Sequence, residues 1–129
     1  MIVVDASAVL AFLIQSPAAA RIDEYLFGGE THAPHLIDLE VMHAIRRWVL
    51  SGAMTRQDAE NAIEYFKLMR IHRSSHEALL DRIWRLRDNL TAYDAAYVAL
   101  AEVLDTVVIT TDAKLAAAPG MSRRVKLVS

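Results

Sequence analysis

Four carboxylates are set apart from the other acidic residues by where they fall: Asp5, Glu40, Asp94 and Asp112. Asp5 directly follows the β-branched run Ile2-Val3-Val4, and Asp112 follows the run from Val107 to Thr111 in the same way. Glu40 has Ile37 three residues before it and Ala44 four after, which places it on the inward stripe of a helix. Asp94, with Leu90 before it and Tyr97, Val98 and Ala101 after, is in the same situation. An unpaired carboxylate buried in a protein costs several kcal/mol or takes up a proton, so inward acids call for a cation or for hydrogen-bond donors. The chain has no cysteine, so any metal must be held by oxygen or imidazole, and a cluster of acids suits Mg2+ or Mn2+. Such ions polarise a phosphodiester and lower the pKa of a bound water, and phosphodiester hydrolysis is the chemistry this set of residues fits best.

Each acid alone also has a local explanation. Asp5 and Asp112 can cap the helices that follow them, Asp94 can complete a capping box with Thr91, and Glu40 can pair with His43 one turn on. Four coincidences, two at strand ends and two on inward helix faces, favour a shared site.

The elements that must position these acids alternate along the chain. Ile2-Val3-Val4 reads as a buried strand, followed at once by a helix over residues 8–13. Pro17 opens a second helix through Phe27 from a first-turn position, and Gly28-Gly29 stops it. An extended piece at 31–34 precedes a helix from Ile37 to Leu50 that ends at Gly52. Thr55 and Asp58 have capping-box spacing before a helix to Leu68, and Ser74 with Glu77 repeats that signal before a helix over 78–87. Residues 70–73 alternate as a strand does. Thr91 opens a helix over 92–103, residues 106–110 form the clearest strand, a short helix covers 113–118, and 125–128 form a last strand. Strands separated by helices imply an α/β domain with a mainly parallel sheet covered on both faces, in which ligands gather beyond the carboxyl ends of the strands.

With 129 residues, 54% of them apolar and 23% charged, one domain spanning 1–129 is expected to fold around one core. The absence of cysteine fits a reducing compartment, the apolar amino terminus lacks a basic lead region, and no stretch approaches a membrane span, so a cytoplasmic protein is expected. The net charge of −2 looks unfavourable for a nucleic-acid partner, but excluding the four clustered acids turns it into +2 for the remainder.

These same residues resemble the PIN-domain family, and in particular the short toxins of VapBC toxin-antitoxin pairs. IVVDASAVLAFL looks like the family's opening strand with its first aspartate, Asp5, and a nearby hydroxyl, Ser7. LIDLEVMHAIRR carries what looks like its helical glutamate, Glu40. LTAYDAAYVALAEVLDTVVITTDAKL looks like its most distinctive block, with Asp94 and Asp112 as third and fourth acids and Thr111 beside the latter. The resemblance covers the whole chain in order and length. It implies a PIN-like three-layer α/β/α fold and an Mg2+- or Mn2+-dependent endoribonuclease that cleaves RNA phosphodiesters by metal-activated water. It also implies the role of toxin, neutralisation by a cognate antitoxin, and a homodimer. The four acids are the implied catalytic metal ligands, directly or through water, with Ser7 and Thr111 orienting them. The alternative for those two hydroxyls is local backbone bonding.

Phosphates of RNA have candidate partners in Arg46 and Arg47, in Arg70, His72 and Arg73, in Arg82, Arg85 and Arg87, and in Arg123, Arg124 and Lys126. His32 and His35 are expected at the surface or in loops, and Trp48 and Trp84 in core or interface packing. Two other readings compete. A PIN-like binding or scaffold module would lack activity. A receiver or haloacid-dehalogenase-type phosphatase domain would form an aspartyl phosphate, but needs a second acid near Asp5, where Ala6 and Ser7 stand.

Overall fold

The computed structural model describes residues 1–129. Its central sheet contains β1 (Ile2–Val4), β2 (Thr31–Pro34), β3 (Ile71–Ser74), β4 (Val108–Thr110) and β5 (Val125–Leu127), in the order β3-β2-β1-β4-β5. Every neighbouring pair is parallel. β1 and β4 lie side by side in the middle, with Val3 opposite Val108 and Val4 opposite Ile109, and all of their residues are buried. This explains why the two runs are aliphatic rather than alternating, with Thr110 at the end of β4 the one polar residue: a strand with a helix layer on each face has no polar side.

The chain starts at the centre and moves outward through β2 to β3. The connections are α1 (Ala6–Leu13) with α2 (Ala19–Phe27), then α3 (Ile37–Ser51) with α4 (Arg56–Leu68). It then reverses across the sheet to β4 and β5 by way of a 3₁₀ turn (Glu77–Leu79), α5 (Leu80–Arg85), α6 (Ala92–Val103) and, after β4, α7 (Ala113–Ala117). Parallel crossovers are right-handed, so reversing direction moves the second set of helices to the opposite face. α6 packs on β1, β2 and β4 with α5 beyond it, while α1 packs against α2, α3 and α4. The result is three layers. Buried side chains from β1 to Val128 form one continuous cluster, and Ala95, Ala96, Ala99 and Ala101 let α6 lie close to the sheet. No helix is long and apolar enough to cross a membrane.

Local signals explain most boundaries. Thr55 and Thr91 cap α4 and α6, accepting from the backbone N–H groups of Asp58 and Asp94. Gly52 ends α3 at φ +81°, a left-handed conformation that costs glycine little. Gly28 is required for a different reason: a Cβ there would lie 2.7 Å from the Glu24 carbonyl oxygen.

Four expectations need correction. Pro17 precedes α2 rather than entering its first turn, because the helix begins at Ala19 with Ala18 as its cap. Ser74 does not cap a helix; its carbonyl accepts from His35 N–H at 3.0 Å, which keeps it in β3, and Ser75 Oγ accepts from Glu77 N–H instead. The single helix expected over 78–87 is therefore a 3₁₀ turn followed by α5. β4 begins at Val108 rather than Thr106, because Thr106 N–H is bonded to Ala101 O in the exit from α6, where Asp105 adopts φ +52°.

Candidate active site

In this topology, strand carboxyl ends and the amino ends of the helices that follow them share one edge of the molecule. Asp5 and Asp112 come just after β1 and β4, and Glu40 and Asp94 lie in the first turns of α3 and α6. All four acids are thereby delivered to one edge. The crevice there lies between β1 and β4, where the strand order reverses, which is the usual ligand position in an open parallel sheet.

Asp5 is the most constrained of the four, at 6% exposure. Its backbone N–H stays in the sheet, bonded to Ile109 O, while its side chain caps α1. Oδ1 accepts from Ser7 Oγ at 2.7 Å and from Ala8 N–H at 3.0 Å, and Oδ2 accepts from the Thr110 hydroxyl. Both hydroxyl protons are spent on Asp5, so the 3.1 Å approach of Ser7 Oγ to Thr110 Oγ1 is a contact between two acceptors of other bonds. Ser7 Oγ accepts from Thr111 N–H and Thr110 Oγ1 from Asp112 N–H, each at 3.0 Å. A carboxylate offers about four acceptor positions, and the three bonds it receives leave Asp5 room for one more partner on Oδ2.

The other three are half-buried. Glu40 Oε1 accepts from the Tyr97 hydroxyl at 2.6 Å, and its second oxygen meets no donor. His43 does not pair with it. Asp112 caps α7 by accepting Lys114 N–H at 2.9 Å through Oδ1, leaving Oδ2 open. Asp94 gives its backbone N–H to Thr91 Oγ1. The local capping roles read from the sequence for Asp5 and Asp112 are therefore real, while of the capping box only the Thr91 half is formed and the Asp94 carboxylate does not return a bond to the Thr91 N–H.

Electrostatics tie the four together. Burial, the largest influence, pushes Asp5 above the usual carboxylate range, with a smaller push from the Asp94 charge and with the Ser7, Thr110 and Ala8 bonds opposing. Burial also raises Glu40, against the Tyr97 bond, and the Asp94 and Asp5 charges add to the rise. Asp94 is raised by burial and by Asp112, with Thr91 opposing. Tyr97 is held protonated by burial and by its bond to Glu40, so it acts as a donor throughout the accessible pH range. Asp94 is the common member of these couplings. None of the four takes part in an ion pair; all six salt bridges lie elsewhere.

No three His, Asp or Glu side chains converge tightly enough to enclose an ion directly. The donor set nevertheless fits a hard divalent cation: every available atom is an oxygen, several have no other partner, and like charges raise one another's pKa. Mg2+ retains several waters, so a set of outer carboxylates suits it better than a tight cage.

Thr110 and Tyr97, read from the sequence only as a strand residue and an inward helix residue, have hydroxyls that touch the acids directly. Thr111 contributes only its backbone amide, and the hydroxyl that orients Asp5 belongs to the residue before it. A usable signal for Thr110 is a polar residue ending an aliphatic strand; for Tyr97, a large aromatic among alanines on the Asp94 stripe. Thr110→Val keeps the shape but leaves Asp5 Oδ2 and Asp112 N–H short of a partner, and is expected to lower unfolding free energy by ~2 kcal/mol in urea denaturation. Unchanged stability would show that the network is not structural.

A concavity of about 710 Å³ lies elsewhere, opening at the amino ends of β2 and β3 between Leu26, Phe27, Tyr65, Leu68 and Met69. Three candidate phosphate partners are occupied: Arg73 by Asp38, Arg82 by Glu102 and Arg124 by Asp105. Arg46, Arg47, Arg70, Arg85 and Arg123 are exposed without a carboxylate. His32 lies in β2 and stacks on His72 of β3, with ring centroids 4.9 Å apart; His35 is exposed just after β2. Trp48 packs against the core, whereas Trp84 is 66% exposed under the Arg87 guanidinium, which excludes the core alternative of the two expected for it and leaves interface packing.

Fold and edge together define a class. The family model of the PIN domain matches residues 2–121. Ribonuclease VapC1 of Mycobacterium tuberculosis is 43% identical over 128 residues, covering 98% of this chain and 96% of that protein. Ribonuclease VapC12 of the same organism is 35% identical over the full length of both chains. The chain belongs to the PIN-domain family, among its VapC ribonucleases. Its fold is also that of two solved structures: PAE2754 from Pyrobaculum aerophilum and VapBC2 from Rickettsia felis bound to a promoter DNA fragment. The first has TM-score 0.70 and 22% identity, covering 96% of this chain and 81% of that one. The second has TM-score 0.69 and 13% identity, with complete coverage of both.

Proposed function

We propose that this protein is an Mg2+- or Mn2+-dependent endoribonuclease whose centre is Asp5, Glu40, Asp94 and Asp112. The observation that carries the reading is four acids at the sheet's switch point, none of them in an ion pair, with raised proton affinities at Asp5, Glu40 and Asp94. The divalent ion supplies Lewis-acid polarisation of the phosphodiester and a water acidic enough to attack it. The chain's residues supply the frame. Ser7, Ala8 and Thr110 orient Asp5 and oppose the rise in its pKa that burial causes, Tyr97 aims Glu40, and Asp94 is the electrostatic neighbour of the other three. In this reading no side chain need form a covalent intermediate.

The relatives named as VapC ribonucleases support the RNA substrate and the role of toxin, and the VapBC2 pairing supports a cognate antitoxin. We further place the protein in the cytoplasm as a homodimer, with one domain over 1–129 carrying the activity. RNA is expected to be cut when Mg2+ or Mn2+ is supplied and left intact in chelator, and the Asp94→Asn protein is expected to be inactive under both conditions. Equal cutting by both proteins removes the assigned centre. A folded wild-type protein that binds RNA without cutting it establishes the scaffold reading instead.

A further inference from the structure

Tyr93 stands immediately before Asp94 in the first turn of α6 and is 66% exposed. A ring this large is normally buried or partnered. Here it meets no aromatic ring and no cation, and its hydroxyl makes no hydrogen bond, unlike that of Tyr97. Residues four apart share a helix face, so Tyr93 lies one turn towards the amino end from Tyr97, the residue that holds Glu40. Helical side chains lean towards the amino end, and the exposure of Tyr93 shows that its ring is not packed over the sheet. On α3, His43 and Arg47 follow Glu40 on its own stripe, one and two turns on, and both are exposed with no carboxylate paired to them. A free aromatic face thus stands next to Asp94 on α6, and a free guanidinium lies two turns beyond Glu40 on α3.

Single-stranded nucleic acid is gripped by this pairing: bases stack on aromatic faces while cations take the adjacent phosphates. We infer that Tyr93 is a stacking platform for one unpaired base next to the scissile phosphate, a positioning subsite distinct from the acids. The inference rests on the ribonuclease reading of those acids. In chelator, where nothing is cut, the full-length protein is titrated into a labelled oligoadenylate at low salt and followed by fluorescence anisotropy. Tyr93→Ala is expected to weaken binding about tenfold, and Tyr93→Phe to bind within about twofold of the wild type. An abasic residue walked along the strand is expected to reach one position where the wild type loses about tenfold and Tyr93→Ala loses nothing further. Unchanged binding by Tyr93→Ala, or an abasic penalty of equal size in both proteins, overturns the subsite and assigns the exposed ring to a protein contact. If that result accompanies wild-type cleavage with Mg2+, only the subsite falls. A wild-type protein that neither binds nor cuts removes the ribonuclease reading and the subsite with it.

Discussion

Asp5→Asn is expected to slow RNA cleavage about a thousandfold, roughly 4 kcal/mol of barrier, while leaving the protein folded. The amide keeps the size of the carboxylate. Its oxygen can still accept from Ser7 Oγ and Ala8 N–H, and its NH₂ can donate to Thr110 Oγ1 while the Thr110 proton turns towards Ser7. What disappears is the negative charge and the one acceptor position left open on Oδ2. Because burial already pushes the Asp5 carboxyl towards its neutral form, a neutral amide relieves that cost, and the melting temperature is expected to hold or rise. Gel-resolved cleavage of end-labelled RNA, alongside thermal melts of both proteins, makes the comparison. Cleavage within tenfold of wild type, with the melt preserved, would remove Asp5 from the centre.

The second large effect is a pH-dependent response to divalent ions. Asp5, Glu40 and Asp94 have raised pKa values in the folded protein, against ordinary values of 3.8 for Asp and 4.5 for Glu. Between those ordinary values and the raised ones, the folded state holds protons that the unfolded chain has released. Stability therefore falls as pH rises through that window and levels off above it. A divalent ion replaces the lost protons, and its stabilisation grows over the same window. With Mn2+ at about 100 times its dissociation constant, the gain is ~2.7 kcal/mol at neutral pH, and little remains below the ordinary carboxylate pKa. Thermal melts with and without Mn2+ across this range are expected to show the shift opening with pH, shrinking in Asp94→Asn, and disappearing on chelation together with RNA cleavage. An Mn2+ shift of the same size in acid and at neutrality, or one undiminished in Asp94→Asn, contradicts a carboxylate site.

Most of the frame was legible because its signals are local. Strand character needs only the β-branched runs, α4 and α6 are announced by Thr55 and Thr91, and Gly52 closes α3 through its own backbone freedom. The misread boundaries are those where a local signal lost to a distant one: Ser74 looks like a cap until His35 claims its carbonyl for the sheet edge. The pairing of exposed charges was equally hidden. Nothing in the neighbourhood of Arg82 names Glu102, and nothing near Trp84 shows that it faces solvent.

The amino-acid sequence by itself determined that Asp5 and Asp112 end strands and that Glu40 and Asp94 open helices on inward stripes, since period and capping act within a few residues. Only the tertiary structure decided which hydroxyls serve them. The choice of Thr110 over Thr111 depends on the pleat phase of β4, which its pairing with β1 sets and which a one-residue slip would invert. The bond from Tyr97 to Glu40 joins residues 57 apart, and the role of Asp94 as common electrostatic neighbour needs α6 laid across the sheet. Such contacts arise from the packing of whole layers, and no local stretch of chain encodes them.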